Sequence, residues 1–138
     1  MNYTKEIART TKDPKILINI LREGKNDWIS CCAAENPNCP PEMLVEILKK
    51  GKYDDVSQYA ARNINCPSEI LVEVLNKGKY NWVSYIAVRN SNCPPEAKIK
   101  WMYVIGKIGK EDPSKHIIEY ENKKEDDLSD LKDLLKSF

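Results

Sequence analysis

Between Pro40 and Lys50 the chain reads PPEMLVEILKK, with Met43, Leu44, Ile47 and Leu48 at i, i+1, i+4 and i+5. These positions share one broad face of a helix, so the stretch is expected to be amphipathic and to bury that face. A glycine follows at Gly51, and equivalent glycines stand at Gly24 and Gly78, each followed by lysine. Glycine takes the left-handed conformation that ends a helix without steric cost, and the chain is expected to turn there. Asp27, Asp54 and Asn81 come next as N-caps of a second, shorter helix, WISCCAAE, DVSQYAAR and WVSYIAVR, in which Ala33, Ala60 and Ala87 recur. Small side chains at that position let neighbouring helices approach closely.

The two helices form a unit that returns every 27 residues, most visibly as NPNCPPE from Asn36, NINCPSE from Asn63 and NSNCPPE from Asn90. A period of that length is the signature of a helical stack in which each copy contacts mainly its neighbours. Within the phrase, Cys39 is expected to sit at the cap position of the longer helix, Pro40 at its first residue and Glu42 at its third. Pro67 with Glu69 and Pro94 with Glu96 repeat the arrangement. The asparagines suit a turn, since asparagine tolerates left-handed backbone and bonds its own main chain.

A degenerate copy precedes these three. Ala8, Arg9, Asp13 and Pro14 lie 26 residues before Ala34, Glu35, Cys39 and Pro40, while Leu17, Leu21 and Gly24 lie 27 before Leu44, Leu48 and Gly51. Asp13 is a true N-cap, as a terminal repeat facing water requires. At the other end the glycine-lysine step is placed at Gly109, 31 residues after Gly78. Four extra residues are about one helical turn, which predicts a longer last helix over roughly 94–108.

The expected architecture is therefore all-α: an α-solenoid of about four 27-residue helix-turn-helix repeats over residues 1–110, followed by a C-terminal helical extension or cap over 111–138. In that extension Leu128, Leu131, Leu135 and Phe138 make a narrow apolar stripe. So short a helix is marginal alone, and the stripe must dock on the last repeat or on a partner.

Charge divides the chain in the same place. Residues 111–138 hold five lysines and nine acids, a net of −4, and the overall +1 therefore leaves +5 on residues 1–110. Five cysteines, an odd number, fit a reducing compartment better than a disulfide framework. No apolar run approaches the roughly 20 residues that span a bilayer, and MNYTKEIART lacks the apolar core of a secretory signal. A cytoplasmic protein without a membrane segment is expected.

With the repeat spelled out, phrases of the type ARNxNCPxExL followed by GKYNWVSYIAVRN resemble the leucine-rich repeat variant, a bacterial repeat family, over residues 8 to about 108. The resemblance implies a right-handed solenoid of alternating α-helices and shorter helices, often 3₁₀, without strands. It supplies no catalytic residues. Two departures stand out: the unit is longer than the family's usual one, and no cysteine-rich iron–sulphur module precedes Asp13.

Cys39, Cys66 and Cys93 look at first like a ligand set. Equivalent positions in stacked helices lie about 8–10 Å apart, however, too far for a disulfide or a shared zinc ion. The three are read as small buried residues at helix starts, with no metal and no cofactor. His116 is the only histidine and no catalytic motif surrounds it, while the isolated glycines form no phosphate loop, so no enzyme is expected.

The turns carry more. Lys25, Lys52 and Lys79 form one row, Tyr53 and Tyr80 another, and Trp28 and Trp82 a third that Asp55 interrupts. Such rows lie along one edge of a solenoid, where aromatic residues concentrate binding energy for a protein partner. With Arg62 and Arg89, the lysines offer the alternative of nucleic acid, although +5 is weak for phosphate-led binding. A third reading is a small inhibitor or assembly subunit docking through Leu128 to Phe138.

Overall fold

The structure, a computed structural model, describes residues 3–106. All secondary structure among them is α-helical, in eight helices: α1 (Lys5–Thr10), α2 (Pro14–Arg22), α3 (Trp28–Glu35), α4 (Pro41–Lys49), α5 (Asp55–Arg62), α6 (Ser68–Asn76), α7 (Trp82–Arg89) and α8 (Pro95–Val104). None is long and apolar enough to cross a membrane. The short helices are α-helical, in contrast to the 3₁₀ geometry the family resemblance allows. The extension over 111–138, with Leu128, Leu131, Leu135, Phe138 and His116, lies outside the described residues, as does Gly109.

The helices make two rows. The shorter α1, α3, α5 and α7 pack side by side, α2, α4, α6 and α8 form the second row, and each short helix meets a long one across the core. Ala8, Ala33, Ala34, Ala60, Ala61 and Ala87 are all fully buried in the short-helix row, which is what allows these helices to sit close. The long helices contribute the bulk of the core: Leu17, Leu44 and Leu71 are fully buried at equivalent positions. Apolar burial of this kind stabilises by about 25 cal/mol per Å² removed from water, and here it accrues copy by copy along the rows.

The caps behave largely as their chemistry requires. Asp27, Asp54 and Asn81 each accept a hydrogen bond on the side-chain oxygen from the backbone N–H of the serine three residues on, at 2.8, 2.9 and 2.9 Å. Those serines, Ser30, Ser57 and Ser84, are buried, and Ser84 returns the bond by accepting from the Asn81 N–H at 3.0 Å. Asp13 caps α2 through the Lys15 N–H. Gly24, Gly51 and Gly78 have φ of 71, 68 and 66°, in the left-handed region expected of them.

Three expectations need correction. The cap of the long helices is Pro40, Pro67 or Pro94, one residue later than the cysteine, and these caps make no side-chain hydrogen bond. Proline serves because its ring fixes φ near −60°, it has no N–H to satisfy, and its carbonyl still accepts the first bonds of the helix. Secondly, α8 ends at Val104 and its left-handed glycine is Gly106, at φ 80°, only 28 residues after Gly78. The sequence IGKIGK contains two glycine-lysine steps, and the nearer one terminates the helix, so the last helix gains one residue and not a turn.

The third correction is partial: the asparagines do bond their own main chain, but not from left-handed backbone. No residue other than glycine has positive φ among those described, and Asn36, Asn63 and Asn90 stand in extended conformation at the C-terminal ends of α3, α5 and α7. Their side chains are buried and face the preceding copy. Asn63 donates its amide to the carbonyls of Ala34 and Asn36 at 2.7 and 3.0 Å, and Asn90 donates to those of Ala61 and Asn63 at 2.7 and 3.0 Å. Asn36 meets the degenerate first copy at the carbonyls of Ala8, Arg9 and Thr11. The other end of each amide accepts from the N–H two residues on, at Asn38, Asn65 and Asn92.

This ladder solves a definite problem. The last carbonyls of a helix have no partner within it, and buried unpaired carbonyls are costly. The asparagine of each copy supplies the missing donor to the copy before it, at the register of 27 residues that the sequence repeats. The second asparagine of each phrase adds an outer rung: Asn92 donates to Ile64 and Cys66 at 2.7 and 3.0 Å, and Asn65 to Pro37.

Candidate functional site

Most large apolar side chains are inside, which makes the exceptions informative. Trp28, Tyr53, Tyr80 and Trp82 are 61, 46, 55 and 67% exposed. Tyr53, Tyr80 and Trp82 converge, with Asn81 and Tyr85, on an open groove of about 430 Å³ beside the start of α7. Tyr53 comes from the turn after α4, Tyr80 from the turn after α6, and Trp82 and Tyr85 from α7, so the groove exists only because two copies are stacked.

The walls of this groove are held in place. Trp82 and Tyr85, at i and i+3 on one helix, meet edge to face with centroids 5.6 Å apart and planes at 88°. Tyr80 lies stacked on Trp101, centroids 5.9 Å apart at 24°, and Trp101 is fixed in turn by its indole N–H donating to the Lys79 carbonyl at 2.9 Å. Trp101 itself is buried. It therefore anchors from α8 the turn that presents Tyr80. Lys79 places its ammonium 5.4 Å from the Tyr53 ring centroid.

A second groove, of about 360 Å³, is lined by Arg62, Ile64, Tyr85, Ile86, Arg89, Asn90 and Ser91. Tyr85 belongs to both, so the two adjoin along α7. Each arginine is set beside a tyrosine of its own helix, Arg62 5.4 Å from the Tyr59 centroid and Arg89 5.4 Å from that of Tyr85. The ion pairs among the described residues are Arg22 with Glu46 at 3.6 Å and Lys25 with Glu23 at 3.4 Å, so neither grooved arginine is neutralised by a described carboxylate.

The residues singled out from sequence thus separate. Tyr53, Tyr80 and Trp82 come together in one groove, with the Lys79 ammonium over the Tyr53 ring beside it, and Arg62 and Arg89 in the next. Trp28, at the start of α3, lines neither of these grooves. Lys25 and Lys52 flank a crevice of only about 30 Å³. Tyr85, Ile64 and Trp101 were not foreseen. Tyr85 was readable as the residue three after Trp82 and four before Arg89, and Trp101 as a tryptophan at the position where the other long helices carry Ile47 and Val74.

The cysteines stand apart from both grooves. Cys39, Cys66 and Cys93 are buried, and burial pushes their thiols up to about 12, about 12 and about 11 from 9.0. At neutral pH they are protonated, a poor state for nucleophilic or metal chemistry. Among the described residues no cluster of His, Cys, Asp or Glu is arranged to hold a metal ion.

No protein-family model, curated protein or solved structure matches the chain.

Proposed function

We propose that the chain is a non-catalytic scaffold of the leucine-rich repeat variant type, a right-handed solenoid of about four 27-residue units, that binds a protein partner along α7. The observation that carries this reading is the aromatic groove: Tyr53, Tyr80, Trp82 and Tyr85 from two successive copies line one open cleft. Tyrosine and tryptophan offer large contact area for few rotatable bonds and dominate the energetics of protein interfaces. Protonated, buried thiols fit a reducing bacterial cytoplasm, which we take as its compartment.

The test is capture from lysate of the native cell with the full chain and with Tyr53→Ala and Trp82→Ala. Partners held by the groove should be recovered by the parent and lost by both variants, while thermal unfolding stays in place. Recovery of every partner by both variants would remove the groove from the interface.

Nucleic acid is the second reading, favoured by the two arginines, neither of which is in an ion pair among the described residues. It requires affinity that falls steeply between low and moderate salt, because phosphate contacts release counterions.

A further inference from the structure

We infer that the partner presents an extended, proline-containing segment with a carboxylate within about four residues of the proline; this rests on the partner-binding reading above and specifies its chemistry. The aromatic groove is walled by rings set at right angles, Trp82 against Tyr85 at 88°. Such walls suit the flat faces of pyrrolidine rings, and polyproline helices dock in aromatic-lined grooves at low entropic cost because they are already extended. A quaternary ammonium, another ligand of aromatic clusters, is disfavoured here by the Lys79 ammonium at Tyr53 and by the neighbouring arginines.

The carboxylate follows from the second groove. Arg62 and Arg89 are held beside tyrosine rings, Arg89 also donating to the Tyr85 hydroxyl at 3.4 Å, and neither is in an ion pair among the described residues, so an incoming carboxylate meets oriented donors. The spacing follows from α7. The Trp82 and Tyr85 centroids are 5.6 Å apart and the Arg89 guanidinium lies 5.4 Å from that of Tyr85, so the guanidinium is at most about 11 Å from the Trp82 ring, a distance that an extended proline-type helix rising about 3.1 Å per residue covers in about four residues at most.

An array of fluorescein-labelled decapeptides, each with a proline pair and one glutamate separated by one to eight residues, tests this against the full-length chain by anisotropy. Binding should peak at separations of about four or fewer and fall away beyond them. Lysine in place of glutamate, or alanine in place of the prolines, should weaken the best peptide at least tenfold. Arg89→Gln should abolish the preference for glutamate over lysine while keeping the proline requirement, and Trp82→Ala should abolish the proline requirement.

A response that is flat across separations, or equal for glutamate and lysine, would overturn the inference. So would a single-stranded oligonucleotide that outcompetes the best peptide. The broader reading is judged separately by lysate capture: partners lost on Trp82→Ala together with a flat array leave a protein-binding groove with a different ligand, whereas partners retained remove both.

Discussion

The two ends of α7 show opposite uses of the same repeat. At its C-terminal end Asn90 is buried and repeats, bond for bond, what Asn63 does one copy earlier; at its N-terminal end Trp82 is two-thirds exposed and occupies the position held by Asp55 in the copy before. A residue is repeated where the adjacent copy needs its hydrogen bonds. It is free to differ where no hydrogen bond between copies depends on it, and there the exposed side chains of the groove collect. The most regular feature of the sequence is thus the least informative about ligands.

High pH should produce the largest contrast. The buried thiols titrate near 9.0 when unfolded but near 11 to 12 in the fold, so between these values the unfolded chain holds fewer protons than the folded one. Stability is therefore retained in full below about pH 9 and falls as pH rises toward 12. Urea unfolding across this range should show a shallower decline for Cys39→Ala with Cys66→Ala than for the parent, and the same slope in both would mean that the thiols are not insulated.

Next is the ladder itself. Asn63→Ala strips donors from the Ala34 and Asn36 carbonyls and an acceptor from the Asn65 N–H, for a loss of about 3 kcal/mol or more in chemical denaturation. A loss under about 1 kcal/mol would mean that water replaces the amide and that the rungs do not hold the copies together.

Trp101→Phe bridges the two regions. It keeps most of the buried ring but removes the 2.9 Å bond to the Lys79 carbonyl, costing about 1–2 kcal/mol and loosening the turn that carries Tyr80. Partner affinity should fall although Trp101 is buried beneath the surface, and unchanged affinity would show that Tyr80 is held by other means. Smallest of all is the effect of Trp82→Ala on stability, within about 0.5 kcal/mol by thermal unfolding, because the side chain is mostly in water.

The helices were legible because their determinants are local. Periodicity at Met43, Leu44, Ile47 and Leu48, acidic or amide caps at Asp27, Asp54 and Asn81, and glycines at the turns each act within a few residues of themselves. Two errors of boundary arose where one local signal had a close duplicate: Cys39 beside Pro40, and Gly106 three residues before Gly109. The turn role of Asn36, Asn63 and Asn90 was legible; their second role, bonding the preceding copy, was not, because it demands the same residue and only the packing reveals it. Tyr53, Tyr80 and Trp82 could be picked out one by one as exposed turn residues. Their meeting with Tyr85 in one cleft depends on how α5 and α7 stack, which no single copy encodes.

All rungs of the ladder point the same way: each amide reaches back to a copy made earlier. A chain emerging from the ribosome therefore finds its acceptors in place whenever a new copy arrives. Removing the first copy is different, because Asn36 would lose the carbonyls of Ala8, Arg9 and Thr11 and leave its amide stranded. Each copy is thus hydrogen-bonded to its predecessor, which gives the ladder a direction along the chain.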